Sequence, residues 1–232
     1  MRTWLTPAGV AAAVAVGAAT TLGAGWKGLA LLCVFFVTAS ALTRGGGRRG
    51  AVQVVANGGV AAAAALLALA DRGWLLPFAG ALAAAASDTW STEIGARSAT
   101  TPRLLISGRR VPPGTSGAVT WLGSAGGGAG AVLVAGSAAW LGLVAWTAAG
   151  WIAAAGVAGG LADSVLGATL QARYRCERCG RLGETPQCPC GGATQLASGL
   201  RWLTNDTVNL LCTLVGAAGG AALVALRTAG LA

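Results

Sequence analysis

The chain has 232 residues, 55% of them hydrophobic and 10% charged, with a net charge of +9 and a mean hydropathy of +0.67. So few charges cannot coat a soluble domain, which is typically about a quarter charged. The absence of histidine excludes any chemistry that needs an imidazole base or imidazole metal ligand.

The apolar residues fall in long Ala- and Leu-rich runs, not in the alternation of barrel strands. Backbone in lipid must satisfy its own hydrogen bonds, so the expected fold class is all-α. It is a polytopic transmembrane helical bundle, a single integral-membrane domain over residues 1–232. The 38 glycines let helices approach closely; such thin helices would permit a homodimer without specifying one.

In chain order, seven runs approach the roughly 20 residues a crossing needs: 4–22, 26–43, 51–70, 74–95, 117–138, 142–172 and 203–228. The first follows Arg2 and has the look of a signal peptide. It reads better as a retained span, because more apolar runs and no clear polar domain follow. The run 142–172 is long and carries Gly159-Gly160, where it could tilt, kink or project past the membrane. The connections sort by charge. With seven crossings, Arg2, then Arg44, Arg48 and Arg49, then Arg97, Arg103, Arg109 and Arg110, then Arg173, Arg175, Arg178, Arg181 and Arg201 share one side. That is 13 of the 16 basic residues, against Lys27, Arg72 and Arg227 on the other. Positive loops stay inside, so the N-terminus is expected in the cytoplasm and the C-terminus outside. The basic excess is read as topogenic, and secondly as suited to an anionic, phosphate-bearing substrate; nucleic acid is not implied.

Under this topology Asn57, Asp88, Asp163 and Asp206 all lie within roughly 15 Å of the cytoplasmic face, which argues for a single site there. A carboxylate within a span costs at least a few kcal/mol and is a functional candidate by default. The structural alternatives are an internal ion pair or a helix cap. Capping is a serious alternative for Asp206, beside Thr204 and Asn205 at a helix start. In the segment Ser87-Asp88-Thr89-Trp90-Ser91-Thr92-Glu93, Asp88, Ser91 and Thr92 share a helix face, with Thr89 and Glu93 on an adjacent one. Asp163, next to Ser164, lines up with Gly159, Gly167 and Gln171. Carboxylates mixed with hydroxyls suit Mg²⁺, which is usually held by one or two carboxylates plus substrate phosphates.

Between spans, Arg109-Arg110-Val111-Pro112-Pro113-Gly114-Thr115-Ser116-Gly117 reads as a phosphate cradle, two arginines followed by hydroxyls at a helix start. Its alternative is an ordinary capped helix behind topogenic arginines. No Walker A loop occurs. Cys33 and Cys212 read as small apolar fillers. Cys176, Cys179, Cys188 and Cys190 fall in the Cys-rich cytoplasmic connection 173–200 with spacing C-x₂-C-x₈-C-x-C. They resemble the two knuckles of a structural zinc site, the second pair one residue tighter than usual; free or redox-active thiols are the alternative.

Five stretches carry a resemblance: Gln53-Val54-Val55-Ala56-Asn57-Gly58-Gly59, Ser87 to Gly95, Gly114-Thr115-Ser116-Gly117-Ala118-Val119, Asp163-Ser164-Val165-Leu166-Gly167-Ala168-Thr169-Leu170-Gln171, and Asn205-Asp206-Thr207-Val208-Asn209. In this order they resemble the integral-membrane family of formerly unknown function that includes plant phytyl-phosphate kinase. The resemblance implies transfer of a phosphoryl group from CTP to an isoprenoid (phytyl or prenyl) monophosphate, giving the diphosphate. On that reading Asp88, Asp163 and Asp206 hold Mg²⁺, with Glu93 as a further acid. Arg109, Arg110, Thr115 and Ser116 bind phosphates. Asn57, Asn205 and Asn209 orient nucleotide or phosphate oxygens, and Thr89, Thr92, Ser164 and Gln171 are further polar contacts. Two other activities compete: a CTP-dependent lipid-phosphate cytidylyltransferase, which would release pyrophosphate, and a transporter for a small solute, which would want access from both faces.

Overall fold

The computed structural model describes residues 4–43 and 47–231. Arg2 and Arg44, counted above among the basic residues, lie outside the described residues. The chain is mostly helical: α1 (Pro7–Leu42), α2 (Ala51–Leu67), α3 (Leu75–Gly95), α4 (Trp121–Trp140), α5 (Trp146–Thr169) and α6 (Asn205–Thr228). Short strands interrupt the all-α expectation. β1 (Arg103–Leu104) pairs with β2 (Ala118–Val119), and β3 (Arg173–Cys176) is flanked by β4 (Leu182–Gly183) and β5 (Thr194–Ser198), all antiparallel. Among the described residues, α1, α4, α5 and α6 are long and apolar enough to cross a membrane, and α2 is a shorter apolar helix. The second half of α3 carries the polar run from Ser87 to Glu93, which dilutes its hydropathy.

Helix α1 opens with Pro7 and is capped by Thr6, whose hydroxyl accepts from the Gly9 N–H at 3.0 Å. It is broken at Gly25 (φ +68°, ψ −168°), a conformation that favours glycine. Trp4 and Phe36 pack edge to face with ring centroids 5.9 Å apart. In an unbroken helix those residues would stand roughly 48 Å apart. The chain therefore doubles back at Gly25, and α1 is two arms whose division matches the gap between the first two apolar runs. Helix α5, in contrast, runs through Gly159-Gly160 without a kink and stops at Thr169. Glycine pairs there serve packing rather than bending.

The core is α3, in which every residue from Leu75 to Ser87 is buried. Alanine and glycine let its neighbours touch backbone to backbone. A Cβ on Gly80 would land on the carbonyl of Gly216 in α6, and one on Gly216 would land on that of Gly80. No larger residue fits at this crossing.

Contacts between connections define two ends of the bundle. At one end Arg49 exchanges backbone hydrogen bonds with Trp4 and Thr6, Arg97 donates to the Leu42 carbonyl at 2.8 Å, and Arg173 donates to that of Ser116 at 2.7 Å. At the other, Arg72 donates to the Gly23 carbonyl at 3.3 Å and Lys27 lies beside Gly142. Trp121 and Trp140 bracket α4, 88% and 78% exposed. Their separation along the helix, about 28 Å, matches the thickness of a hydrocarbon core, where exposed Trp marks the interfaces.

Candidate active site

Helices α3 and α5 run parallel in a register that small residues set. Gly156 lies against Ala83, Gly159 against Ala84, and Gly160 against the Ser87 hydroxyl. Advancing one turn on both helices brings Asp163 opposite Asp88, and their carboxyls do face each other. Oδ2 of Asp163 is buried without a hydrogen-bond partner. Helix α6 supplies a third wall: the Cys212 thiol points at the Ala84 carbonyl, 3.6 Å away, and sits within the field of both carboxylates. Ser91 and Ser164 flank the pair, each returning its hydroxyl to its own helix, at 2.8 Å to the Asp88 carbonyl and 3.2 Å to that of Gly160.

A third carboxylate joins from outside the helices. Glu184, just past β4, acts on Asp163 through its charge and accepts a hydrogen bond from the Ser116 hydroxyl. The Ser116 turn is pinned in place. Gly117 sits against the Ser164 carbonyl and Ala168 with no room for a side chain, and Arg173 bridges the carbonyls of Ser116 and Gly167 at 2.7 and 3.3 Å. Gln171 is 4% exposed, and its Nε2 has no partner. Buried polar groups of this kind are rare and mark a place where a ligand or water is due.

Other expected site residues are spread over α2, α3, α6 and the connections. Asp206 lies in the first turn of α6; the cap there is Thr204, whose hydroxyl accepts from the Thr207 N–H. The charges acting on Asp163 are those of Asp88 and Glu184, not that of Asp206. Asn205 is exposed at the start of α6, and Asn209 is buried one turn further on. Thr115 and Ser116 do not begin a helix, since α4 starts at Trp121 behind a Thr120 cap. Thr115 closes a turn onto the Pro112 carbonyl instead. Arg109 and Arg110 are exposed on the hairpin formed with Arg103 and Leu104. Asn57 returns its amide to the Gln53 carbonyl at 2.9 Å. Thr89 is half-buried and Thr92 exposed. The charge of Glu93 reaches Arg49 rather than Asp163.

The four cysteines of the connection converge. Their sulfurs lie within 4.8 Å of one another, with the closest approaches 3.3 to 3.6 Å, and all four are free of disulfides. The backbone N–H of Cys179, aided by the neighbouring thiols, holds the Cys176 thiol down at about 6. Four thiols gathered this closely can hold a metal such as zinc.

The sequence matches the integral membrane protein DUF92 family over residues 1–217. The chain belongs to that family. Among its relatives, Protein PGR of Arabidopsis thaliana is 30% identical over 238 residues, covering 83% of this chain and 80% of that protein. An uncharacterized membrane protein of Methanocaldococcus jannaschii is 31% identical over 210 residues, covering 83% and 74%. Protein VTE6 of the Arabidopsis chloroplast is 26% identical over 235 residues, covering 92% and 63%. No solved structure matches.

In this DUF92 chain Glu184 and Arg173 join the site from connections, without a motif that marks them. Glu184 stands in a connection 21 residues past Asp163, and Arg173 counted only as a topogenic charge. The usable signal was the cysteine spacing, which predicts a folded knuckle and hence a chain that returns toward the membrane.

Proposed function

We propose that the chain is a CTP-dependent kinase that transfers a phosphoryl group to an isoprenoid monophosphate, giving the diphosphate, at a site on the cytoplasmic side of seven membrane crossings. The two arms of α1 together with α2 to α6 supply those crossings. The observation that carries this reading is the half-buried Asp88–Asp163 pair, in which Oδ2 of Asp163 is sealed from solvent without a hydrogen-bond donor, in a family that is resembled over five motifs. Two adjacent carboxylates without a counter-charge are the setting that a hard divalent cation occupies, so the residues fit Mg²⁺. When bound, the cation would neutralise charge on the transferred phosphoryl group.

The protein's own work is then positioning. A monophosphate oxygen is already anionic near neutral pH, so the acceptor needs orientation and charge neutralisation rather than a strong base; this suits a chain without histidine. Asp88 and Asp163 hold the metal side of the site. Arg173 places a positive charge at its rim, and Gln171 offers an unused amide N–H. Glu184, fixed by Ser116, completes the acidic rim.

The test is a product assay on purified protein with CTP, Mg²⁺ and geranylgeranyl monophosphate. CDP and geranylgeranyl diphosphate support the kinase. Pyrophosphate release identifies the cytidylyltransferase instead, and absence of both products from folded protein removes nucleotide chemistry.

A further inference from the structure

Between the two arms of α1 and helix α2 lies a cavity of about 190 Å³. Its wall is mostly aliphatic and aromatic, with Val16, Leu32 and Phe36 among the lining residues. One side is polar: Arg49, Gln53 and Asn57, spaced four residues apart, follow one face into α2. Leu29 and Cys33 on the rim are exposed, so the cavity opens sideways, where the bilayer would lie. The full charge sits at one end. The Arg49 guanidinium is partly buried, lies 5.8 Å from the centre of the Phe36 ring, and makes one long hydrogen bond to the Thr43 hydroxyl, 3.5 Å. Among the described residues it has no hydrogen-bonded carboxylate, and Glu93 is the only acid that acts on it. A guanidinium presents five N–H donors in a fork suited to phosphate, so most of its donors are unused.

We infer that this cavity binds a single-chain amphiphile with an anionic phosphate head, the head on Arg49 and the chain between the α1 arms. The shape argues for one chain. A volume of about 190 Å³ with a mostly apolar wall takes part of one chain, and the side opening lets the rest of a long chain lie in lipid. The charge argues for the head group, because a neutral lipid would leave a half-buried guanidinium with no directly paired anion at the mouth of an apolar cavity. Gln53 and Asn57 continue the polar wall beyond Arg49 and can follow a head group into the cavity. This binding stands whether or not phosphoryl transfer occurs. Under the kinase reading it is the place where the acceptor is held, on the flank of α3 that carries Glu93.

The test uses the full chain in detergent micelles without nucleotide, so that its failure is distinct from a failure of transfer. The probe is a prenyl monophosphate of about 20 carbons with a diazirine near the chain end, irradiated and mapped by peptide mass spectrometry. Labelling is expected between Ala13 and Gly17 and between Leu29 and Phe36. Arg49→Gln should cut it at least fivefold. Gly17→Leu should do the same from the apolar side, since a side chain there meets only Leu29 and points into the cavity. It also keeps the question decidable if Arg49→Gln does not fold. The matching prenol should label weakly, and inorganic phosphate and dioleoyl phosphatidic acid should not compete. Labelling elsewhere, equal labelling by the prenol, competition by the diacyl lipid, or labelling that survives both substitutions would overturn the inference.

Discussion

Asp88 and Asp163 are two like charges brought together, half-buried, between α3 and α5, an arrangement that costs stability unless a cation or shared proton relieves it. Replacing Asp163 by Asn keeps the shape, removes one charge and gives the lone carboxylate a donor. In Mg²⁺-free detergent, Asp163→Asn is expected to raise the unfolding temperature by an amount worth about 1 kcal/mol, while transfer falls by about 10²-fold or more, as when a group that stabilises transition-state charge is lost. Asp88→Asn should likewise abolish transfer in protein that still inserts and purifies. Activity retained in either variant would sink the metal assignment; a lower unfolding temperature for Asp163→Asn would sink the strained-pair reading. Both aspartates were legible in the sequence because a charge inside an apolar run stands out at once. Their meeting was not. It depends on the register in which Gly156, Gly159 and Gly160 pack on Ala83, Ala84 and Ser87, and no periodicity within a single helix encodes that. Thr115 and Ser116 were misplaced for a local reason: Thr120, four residues on from Ser116, is the better cap and takes the helix start.

The β3–β5 ribbon has almost no apolar interior of its own, with Cys176 the one buried side chain of its strands. Small modules of this kind owe their fold to the metal. One equivalent of zinc per chain is therefore expected in protein purified without chelator, and Cys176→Ser should lose it. The ribbon also carries Glu184 to Ser116. Losing the zinc should lower transfer to about the level of Glu184→Gln, on the order of tenfold, and the combined variant should fall no further, because both changes remove the same carboxylate. A double variant much weaker than either single one would place the effect of zinc elsewhere. The cysteine spacing announced this element, but the sheet that aims Glu184 at the helices is made of two- to five-residue strands, too short to show any alternation. Among the helices, Gly80 gives the sharpest packing test. Gly80→Leu forces α3 away from Gly216 and should cost about 3 kcal/mol as an overpacked core, seen as loss of folded monodisperse protein.

Hydropathy divides the chain into apolar runs and charge groups its connections, and the basic connections do meet at one end of the bundle. The reversal at Gly25 shows the limit. By helix length alone the first 36-residue helix is a single span, yet Trp4 meets Phe36, and only a hairpin of two arms can bring them to the same end. Neighbour relations, with α3 central and α2, α4, α5 and α6 around it, follow from small-residue contacts that composition leaves open. Orientation follows from charge: the basic loops, with the Cys ribbon and the acid pair, should face the cytoplasm. A cysteine at exposed Ser107 and another at exposed Ala145 sample the two ends. On intact cells an impermeant maleimide should label Ala145→Cys and leave Ser107→Cys unlabelled until the membrane is opened. The reverse pattern would turn the bundle over and place the acid pair outside, away from the CTP that the proposed transfer needs. Labelling of both sites in intact cells would mean that they share a face, and that α4, the one helix between them, does not cross.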